Sequence, residues 1–250
     1  MDSAFDFNHR PNMSERLSAA IDVAMQAENQ SQPRREYLGA SRLGEECARM
    51  LQYEFMGAPK SRHFSGETLR IFERGHAGEA AMARRLRLAG FEMLTETQRG
   101  GQFGFEAAGG RIKGHCDGII TATPIGLEVP AIWEHKVLGA KGWNAVSKHG
   151  VTKEKPVYSG QIALLQVYLE GKYNLPLTKN PALFTAENAD SGKIYAELVP
   201  FNPALAQECS DRAVQVLKAT EAGETLPRPY PSDDFFKCKF CDFREKCWSG

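Results

Sequence analysis

The sequence predicts an α/β fold in which a mixed β-sheet is flanked by helices. Apolar residues recur at helical spacing in the first third of the chain and change to strand-like runs in the middle. The last third of the chain contains strand-like runs and helical spacing in alternation. The 250 residues, of which 42% are hydrophobic and 25% charged, suit one large domain or a core with an appended lobe. We therefore expect helices, a strand cluster, a helix, further strands and a last helix.

Three helices are expected in the first third, because apolar residues recur there at three- and four-residue steps. Their expected ranges are Met13 to Glu28, Ser41 to about Phe55 and Ser65 to Gly90, with a polar linker over 29–35. Ser14, Ser41 and Ser65 are the expected N-caps, since a serine hydroxyl accepts from the free amides of a first turn. This divides the chain into an N-terminal helix with its linker, residues 1–38, and a domain over residues 39–250.

The middle and the end of the chain alternate strands and helices. The expected strands are Phe91 to Glu96, Arg111 to Thr121, Val129 to Leu138, Ala182 to Ala186 and Lys193 to Val199. A helix is expected from Tyr158 to Glu170. A last long helix is expected to open at Asn202–Pro203 and to end near Gly223, because proline suits the first turn and glycine the end. The tail from Leu226 onward is rich in proline and cysteine.

Charge and hydropathy indicate a cytoplasmic protein without a membrane partner. No apolar run approaches the roughly 18 residues of a membrane span, and the polar stretch from Met1 to Pro11 lacks the apolar run of a secretory signal. The 31 basic and 31 acidic residues cancel, which neither favours nor excludes nucleic acid as a partner. In a reducing compartment, clustered cysteines indicate metal ligands or catalysts before disulfides.

Two acidic residues and a lysine form the strongest chemical signal. Asp117 lies in Gly114-His115-Cys116-Asp117-Gly118, and Glu134 and Lys136 lie in Ile132-Trp133-Glu134-His135-Lys136. Side chains alternate along a strand, so Glu134 and Lys136 share a face, and Asp117 meets Glu134 if the two strands pair. Two carboxylates at one point suit Mg²⁺ or Mn²⁺, and a neighbouring lysine can orient or deprotonate an attacking water. The alternative is a turn-capping aspartate and an exposed Glu–Lys pair, which the apolar surroundings disfavour.

Asp117 with Glu134-x-Lys136 resembles the Asp…Glu-x-Lys core of the PD-(D/E)XK nucleases. Arg74-Gly75-His76-Ala77-Gly78-Glu79 before this core and Tyr158-Ser159-Gly160-Gln161 after it resemble the RecB-like branch. The resemblance implies a restriction-endonuclease-like fold, with His76, Asp117 and Glu134 as metal ligands, Lys136 as a catalytic residue and Gln161 as a residue that supports the active site. Simple core packing is the alternative for His76 and for Gln161.

Three cysteines form a second cluster near the C-terminus. Cys238 and Cys241 are separated by two residues, and Cys247 follows after five more. Three thiolates at this spacing can bind one metal centre, and Cys47 at an expected helix start is the candidate fourth ligand. The spacing resembles a RecB-like group that includes AddB-type nuclease domains and CRISPR-associated exonucleases. In that group four cysteines bind a 4Fe–4S cluster that joins the N- and C-terminal segments. A structural Zn²⁺ is the alternative, and Cys116 and Cys209 are expected to be ordinary buried thiols.

The resemblance implies a metal-dependent DNA exonuclease that acts on single-stranded DNA or DNA ends. Recombination, repair, and phage or CRISPR-related DNA processing are the implied settings, with a recombination or CRISPR-adaptation protein as a potential partner and the oligomeric state open. No base-reading module and no phosphate-binding Gly-x-x-x-x-Gly-Lys loop is present in the sequence. One alternative is a non-catalytic DNA-binding or adaptor subunit with a nuclease-like fold, and another is a zinc-stabilised protein of unrelated function.

Overall fold

The computed structural model describes residues 10–249 of the chain. The expected polar N-terminus, Met1 to Pro11, therefore lies almost wholly outside the described residues. The helices are α1 Met13–Ser31, α2 Ala40–Leu43, α3 Ala48–Met56, α4 Gly66–Leu88, α5 Ala140–His149, α6 Val151–Glu154, α7 Pro156–Tyr173, α8 Pro203–Glu221, α9 Phe236–Lys239 and α10 Arg244–Trp248. Across residues 10–249, none of these helices combines the length and the apolar character that a bilayer crossing requires.

The strands form two mixed sheets. They are β1 Leu38–Gly39, β2 Glu92–Leu94, β3 Gly104–Ala107, β4 Ile112–His115, β5 Gly118–Ala122, β6 Ala131–Leu138, β7 Ala182–Asn188 and β8 Ile194–Val199. The larger sheet has the order β2-β5-β6-β7-β8, with β6 and β7 parallel and the other pairs antiparallel. The smaller sheet has the order β1-β4-β3, with β1 parallel to β4. The predicted class is thereby confirmed, and two mixed sheets flanked by helices are consistent with the restriction-endonuclease-like fold.

Strand β6 lies at the centre of the larger sheet, and helices cover both of its faces. Glu134 on one face contacts Gln161 of α7, while the other face meets α4, where Val137 approaches the backbone of Gly78. Apolar residues form a separate buried cluster on each side. Because the strand is buried from Ala131 to His135, its polar side chains at 134 and 135 are removed from solvent and require partners inside the protein.

The crossing of α2 and α7 is a close contact between backbones. A Cβ atom added at Gly160 would lie 2.9 Å from the Cα atom of Gly44, and one added at Gly44 would lie 2.6 Å from the Cα atom of Val157. A side chain at either glycine has no room unless the helices separate. This contact sets the position of α7, on which Gln161 is the next residue after Gly160.

The helices of the first third differ from the prediction in two places. Helix α1 is capped by Asn12 and not by Ser14, because Asn12 and Glu15 form a reciprocal capping box, and the helix extends into the predicted linker as far as Ser31. The single helix expected over 41–55 is two helices, α2 and α3, because α2 ends at Leu43 and α3 begins at Ala48. Cys47 is the N-cap of α3, where its Sγ accepts from the amide of Met50. The Ser65 cap of α4 is confirmed.

The strand cluster also contains a division that the sequence pattern did not indicate. The single strand expected over 111–121 is β4 and β5, which lie in different sheets and are separated by Cys116 and Asp117. Strands β1 and β3 and helices α5, α6, α9 and α10 were not predicted. Helix α7 and strands β6, β7 and β8 occupy the predicted segments, and α8 has the predicted Asn202 cap and Pro203 first turn.

Candidate active site

Asp117 and Glu134 face each other across two antiparallel strands. The register pairs Gly118 with Trp133 and Ile119 with Ile132, which puts Asp117, just before β5, opposite Glu134 on β6. The Asp117 Oδ2 atom accepts from the backbone amide of His135 at 2.7 Å. The predicted meeting of these two carboxylates is thus present in the structure, and the hairpin fixes it.

Glu134 is fully buried and only one of its carboxylate oxygens has partners. Its Oε1 atom accepts from Nζ of Lys136 and from Nε2 of Gln161 at 2.7 Å. Its Oε2 atom is buried and has no hydrogen-bond partner among the described residues. A buried carboxylate oxygen without a partner is costly, so a cation at this position would satisfy it.

Burial and mutual repulsion raise the pKa values of the acidic groups at this site. Removal from water is the main cause for Glu134, and the neighbouring Asp117 carboxylate raises the pKa of Glu134 further while Lys136 opposes the shift. Burial likewise raises the pKa of Asp117, again against the effect of Lys136. The site therefore carries more acidic groups than one ammonium offsets, which is the electrostatic pattern of a cation site and of functional sites in general.

Lys136 remains a cation in this environment. Burial lowers its pKa, but the carboxylates of Glu134 and Asp117 raise it by more, so the net shift is upward. Its Nζ atom also lies 5.5 Å from the ring centroid of Tyr158, a cation–π contact. A protonated amine can donate to an anionic oxygen and stabilise charge there, but it cannot act as a base at neutral pH.

His76 lies on α4 at the same cavity as Asp117, but its side chain is 80% exposed. Together with Glu79 and Asp117 it lines a cavity of about 310 Å³. Its Nδ1 atom is 3.7 Å from Oε1 of Glu79. The structure thus places His76 at the mouth of the site, whereas the prediction grouped it directly with Asp117 and Glu134. The alternative of simple core packing does not apply to His76, because its own side chain is exposed.

Glu79 is a site residue that the sequence reasoning missed. Its carboxyl group has a raised pKa, first because of burial and then because of the Asp117 charge, while Lys136 and His76 lower it. Its position three residues after His76 was the available signal, since residues three apart lie on one side of a helix. Within residues 10–249, no group of three or more His, Cys, Asp or Glu side chains has an arrangement that could hold a metal ion. The carboxylates are neighbours without forming a completed ligand cage.

A second, larger cavity adjoins the first. It has a volume of about 660 Å³, and Glu96 and Gln102 line both cavities. Both residues belong to the segment that connects β2 to β3. We call this space the adjoining cavity; its other lining residues include Arg99, Phe103, Lys172 and Tyr173.

The four predicted cluster cysteines line one cavity. Cys47 enters it from the start of α3, and Cys238, Cys241 and Cys247 enter from the tail. All four are free thiols. Burial raises the pKa of Cys47, and proximity to the other three sulfurs raises it further. A thiol whose ionisation is hindered by neighbouring sulfurs fits a cationic centre, which stabilises thiolates. No metal-binding group is found among the described cysteines, so the cluster itself stays a prediction.

Contacts other than the cysteines already join the two ends of the chain. Gln52 of α3 donates to the carbonyl of Glu224 at 2.6 Å and accepts from the amide of Leu226 at 2.9 Å. Lys237 in α9 donates to Glu46 at 2.7 Å. The tail is therefore held on α3 by the protein itself. Cys116 and Cys209 are buried away from this cavity, as predicted.

The fold of this chain is shared by a solved structure. The crystal structure of SSO0001 has a TM-score of 0.51 and 16% identity, with 95% of this chain and 98% of that chain covered. An alkaline exonuclease from Laribacter hongkongensis, LHK-Exo, has a TM-score of 0.49 and 17% identity, with 80% and 93% covered. The same exonuclease in complex with dAMP has 0.48 and 16%, with 82% and 93% covered. No protein-family model matches the chain, and no curated protein matches it.

Proposed function

We propose that this protein is a divalent-metal-dependent deoxyribonuclease that degrades DNA as an exonuclease, from single strands or from DNA ends. One observation carries the proposal: the buried Glu134, opposite Asp117, directs one oxygen to Lys136 and Gln161 and leaves the other without a partner among residues 10–249. Burying a carboxylate at this position is unfavourable unless its charge is offset. A binding or catalytic role explains why the strand tolerates it.

Mg²⁺ or Mn²⁺ fits the acidic groups of this site. Asp117 and Glu134 would hold the ion, and His76 and Glu79 at the neighbouring cavity would complete its surroundings, directly or through water. The unpartnered Oε2 atom of Glu134 and the raised pKa values of the acidic groups are the features that favour a cation. When bound, such an ion supplies polarisation of the phosphodiester and a reactive water.

The protein's own side chains would position and stabilise the reacting groups. Lys136 stays protonated, so we assign it to binding the charged oxygens of the scissile phosphate and to orienting the attacking water. We do not assign deprotonation of the water to Lys136, because a protonated amine cannot accept a further proton. Gln161 holds the Glu134 carboxylate from α7 and acts as a positioning residue.

Cleavage of labelled DNA tests this proposal. Protein purified without oxygen is mixed with Mg²⁺ or Mn²⁺ and with linear single-stranded DNA labelled separately at each end, or with circular single-stranded DNA. We expect the linear strand to be shortened from one end, the circle to stay intact and the Lys136→Ala variant to be inert. Lys193→Ala is the matched control, because Lys193 is exposed beside β8, at the far edge of the larger sheet.

Each outcome decides between the candidate functions. Cleavage of the circle would replace the exonuclease by an endonuclease. Wild-type and Lys136→Ala proteins that are equally inert yet bind DNA would favour the non-catalytic DNA-binding subunit. Activity that is unchanged in Lys136→Ala would remove the assigned site.

For the cysteine cavity we propose a 4Fe–4S cluster held by Cys47, Cys238, Cys241 and Cys247, with structural Zn²⁺ as the alternative. The four thiols lining one cavity support a shared centre, and both centres accept four thiolates. Iron and zinc analysis of protein purified without oxygen separates them, since an iron–sulfur protein is brown and a zinc protein is colourless. A protein that contains neither element would rule out both.

A further inference from the structure

The adjoining cavity has the size and the position of a substrate pocket. Its volume of about 660 Å³ lies within the range of roughly 300–1,000 Å³ that is usual for ligand sites. It opens next to the cavity that contains Asp117, Glu79 and His76. A strand whose phosphate lies at Asp117 would therefore have its next nucleotide beside Glu96 and Gln102, the residues that the two cavities share.

The lining combines aromatic rings with hydrogen-bonding side chains. Phe103 and Tyr173 meet edge to face, with ring centroids 5.2 Å apart, and Nζ of Lys172 lies 5.2 Å from the Tyr173 ring centroid. The exposed side chains of Gln98 and Gln102 add amide groups at the rim. Apolar rings bordered by amides suit the flat face and the polar edge of a nucleobase.

The charges that line the cavity are not those of a site that binds phosphate groups alone. Arg99 and Lys172 are its permanent cations, and Glu96 and Glu106 are its carboxylates. Glu106 is paired with Lys113 at 2.8 Å, and Lys172 already donates to the carbonyl of Gly104 at 2.7 Å. Because Lys113 offsets the charge of Glu106, Arg99, Lys172 and Glu96 leave a net charge of about one, which attracts a polyanion only weakly. Recognition therefore depends mainly on stacking and on hydrogen bonds to a base.

We propose that the adjoining cavity binds one unpaired base of the substrate strand, next to the nucleotide whose phosphate is cleaved. This inference rests on the proposed nuclease function and deepens it. A base in a duplex has its pairing edge occupied by the partner base. It can therefore enter this cavity only after it has left the duplex, when that edge is free to form hydrogen bonds with the amides. The site therefore selects single-stranded DNA or frayed ends over intact duplex.

Removing bases one at a time from the substrate tests the inference. Single-stranded oligonucleotides that carry one abasic residue at successive positions are cleaved by the wild type, by Tyr173→Leu and by Tyr173→Phe. In the wild type, we expect one position at which base loss slows cleavage by about 5- to 100-fold, the usual effect of a lost base–aromatic stack. Tyr173→Leu should lose this sensitivity, and Tyr173→Phe should keep it because the ring remains.

The comparison separates stacking from a structural effect of Tyr173. The Tyr173 hydroxyl donates to the carbonyl of Gly104 at 3.2 Å, so Tyr173→Phe reports on the loss of that bond alone. Each variant is judged by the ratio of its rates on intact and abasic DNA, in which a general loss of active protein cancels. Arg99→Ala, on the exposed turn, should lower binding of both DNAs equally.

The outcomes distinguish this inference from the function on which it rests. If the wild type cleaves DNA but no abasic position matters, or if Tyr173→Leu is as sensitive as the wild type, the base pocket is refuted and the nuclease stands. If the wild type neither binds nor cleaves any of the oligonucleotides, both the base pocket and the proposed nuclease function are refuted.

Discussion

Replacing Gly160 by alanine should destabilise the protein, although alanine is the better helix former. Gly160 lies inside α7, where its added Cβ would be 2.9 Å from Cα of Gly44 and 3.1 Å from Sγ of Cys209. The first neighbour is backbone and cannot move aside by a rotamer change. The helices must therefore separate at their crossing.

The magnitude follows from two opposing effects. Exchanging glycine for alanine within a helix gains about 0.5–1 kcal/mol, and overpacking of a tight contact costs about 1–3 kcal/mol. Taking the middle of each range, we expect a net loss of about 1 kcal/mol in the free energy of unfolding for Gly160→Ala. Gly171→Ala in the same helix is the matched control, since no atom lies within 4 Å of its added Cβ. The control should be neutral or should gain up to about 1 kcal/mol.

Urea unfolding of the two variants measures this difference directly. We expect Gly160→Ala to unfold at a lower urea concentration than the wild type, and Gly171→Ala to unfold at an equal or higher one. Separation of the helices also displaces Gln161, so Gly160→Ala should lose nuclease activity, while Gly171→Ala keeps it. Equal or greater stability of Gly160→Ala relative to Gly171→Ala would refute the close backbone contact.

Three further predictions concern the site, its strand and the cysteines. Gln161→Leu should lower turnover by about 10- to 100-fold, the worth of one hydrogen bond to a charged group; an unchanged rate would deny Gln161 its positioning role. Burial lowers the pKa of His135 from 6.5 to about 4, so its stabilising contribution is present above pH 6.5 and lost as the pH falls towards 4. Between pH 7 and pH 5 the wild type should therefore lose about 2 kcal/mol more stability than His135→Gln, and parallel losses in denaturant unfolding would contradict this. Cys47→Ser should lower Tm by roughly 6–12 °C, if losing the metal centre costs about 3 kcal/mol, whereas Cys209→Ser should leave the metal content unchanged; equal metal content in both variants would contradict a site at Cys47.

The strand pairing at the site could be predicted because alternation and register are local properties. Glu134 and Lys136 share a face by the two-residue period of a strand, and the apolar run around them indicated burial. The hairpin then brings Asp117 opposite Glu134, as the register confirms. Capping chemistry likewise placed the starts of α4 at Ser65 and of α8 at Asn202.

Features that depend on distant contacts escaped the sequence. The helix expected over 41–55 is interrupted at Gly44, which packs against Val157, more than a hundred residues away. The strand expected over 111–121 is divided because its two halves pair in different sheets. The local sequence pattern does not indicate with which strands each half pairs. The two-residue strand β1 and the role of Glu79 likewise depend on neighbours that only the folded chain supplies.

The rate of DNA hydrolysis by Glu134→Gln tests the central claim most directly. The substitution keeps the shape of the side chain and removes the charge that Lys136, Gln161 and a metal ion would share. With end-labelled single-stranded DNA and Mg²⁺ or Mn²⁺, we expect the wild type to digest the strand and Glu134→Gln to be slower by about 1,000-fold or more. Comparable rates for the two proteins, with both correctly folded, would contradict an active site at Glu134.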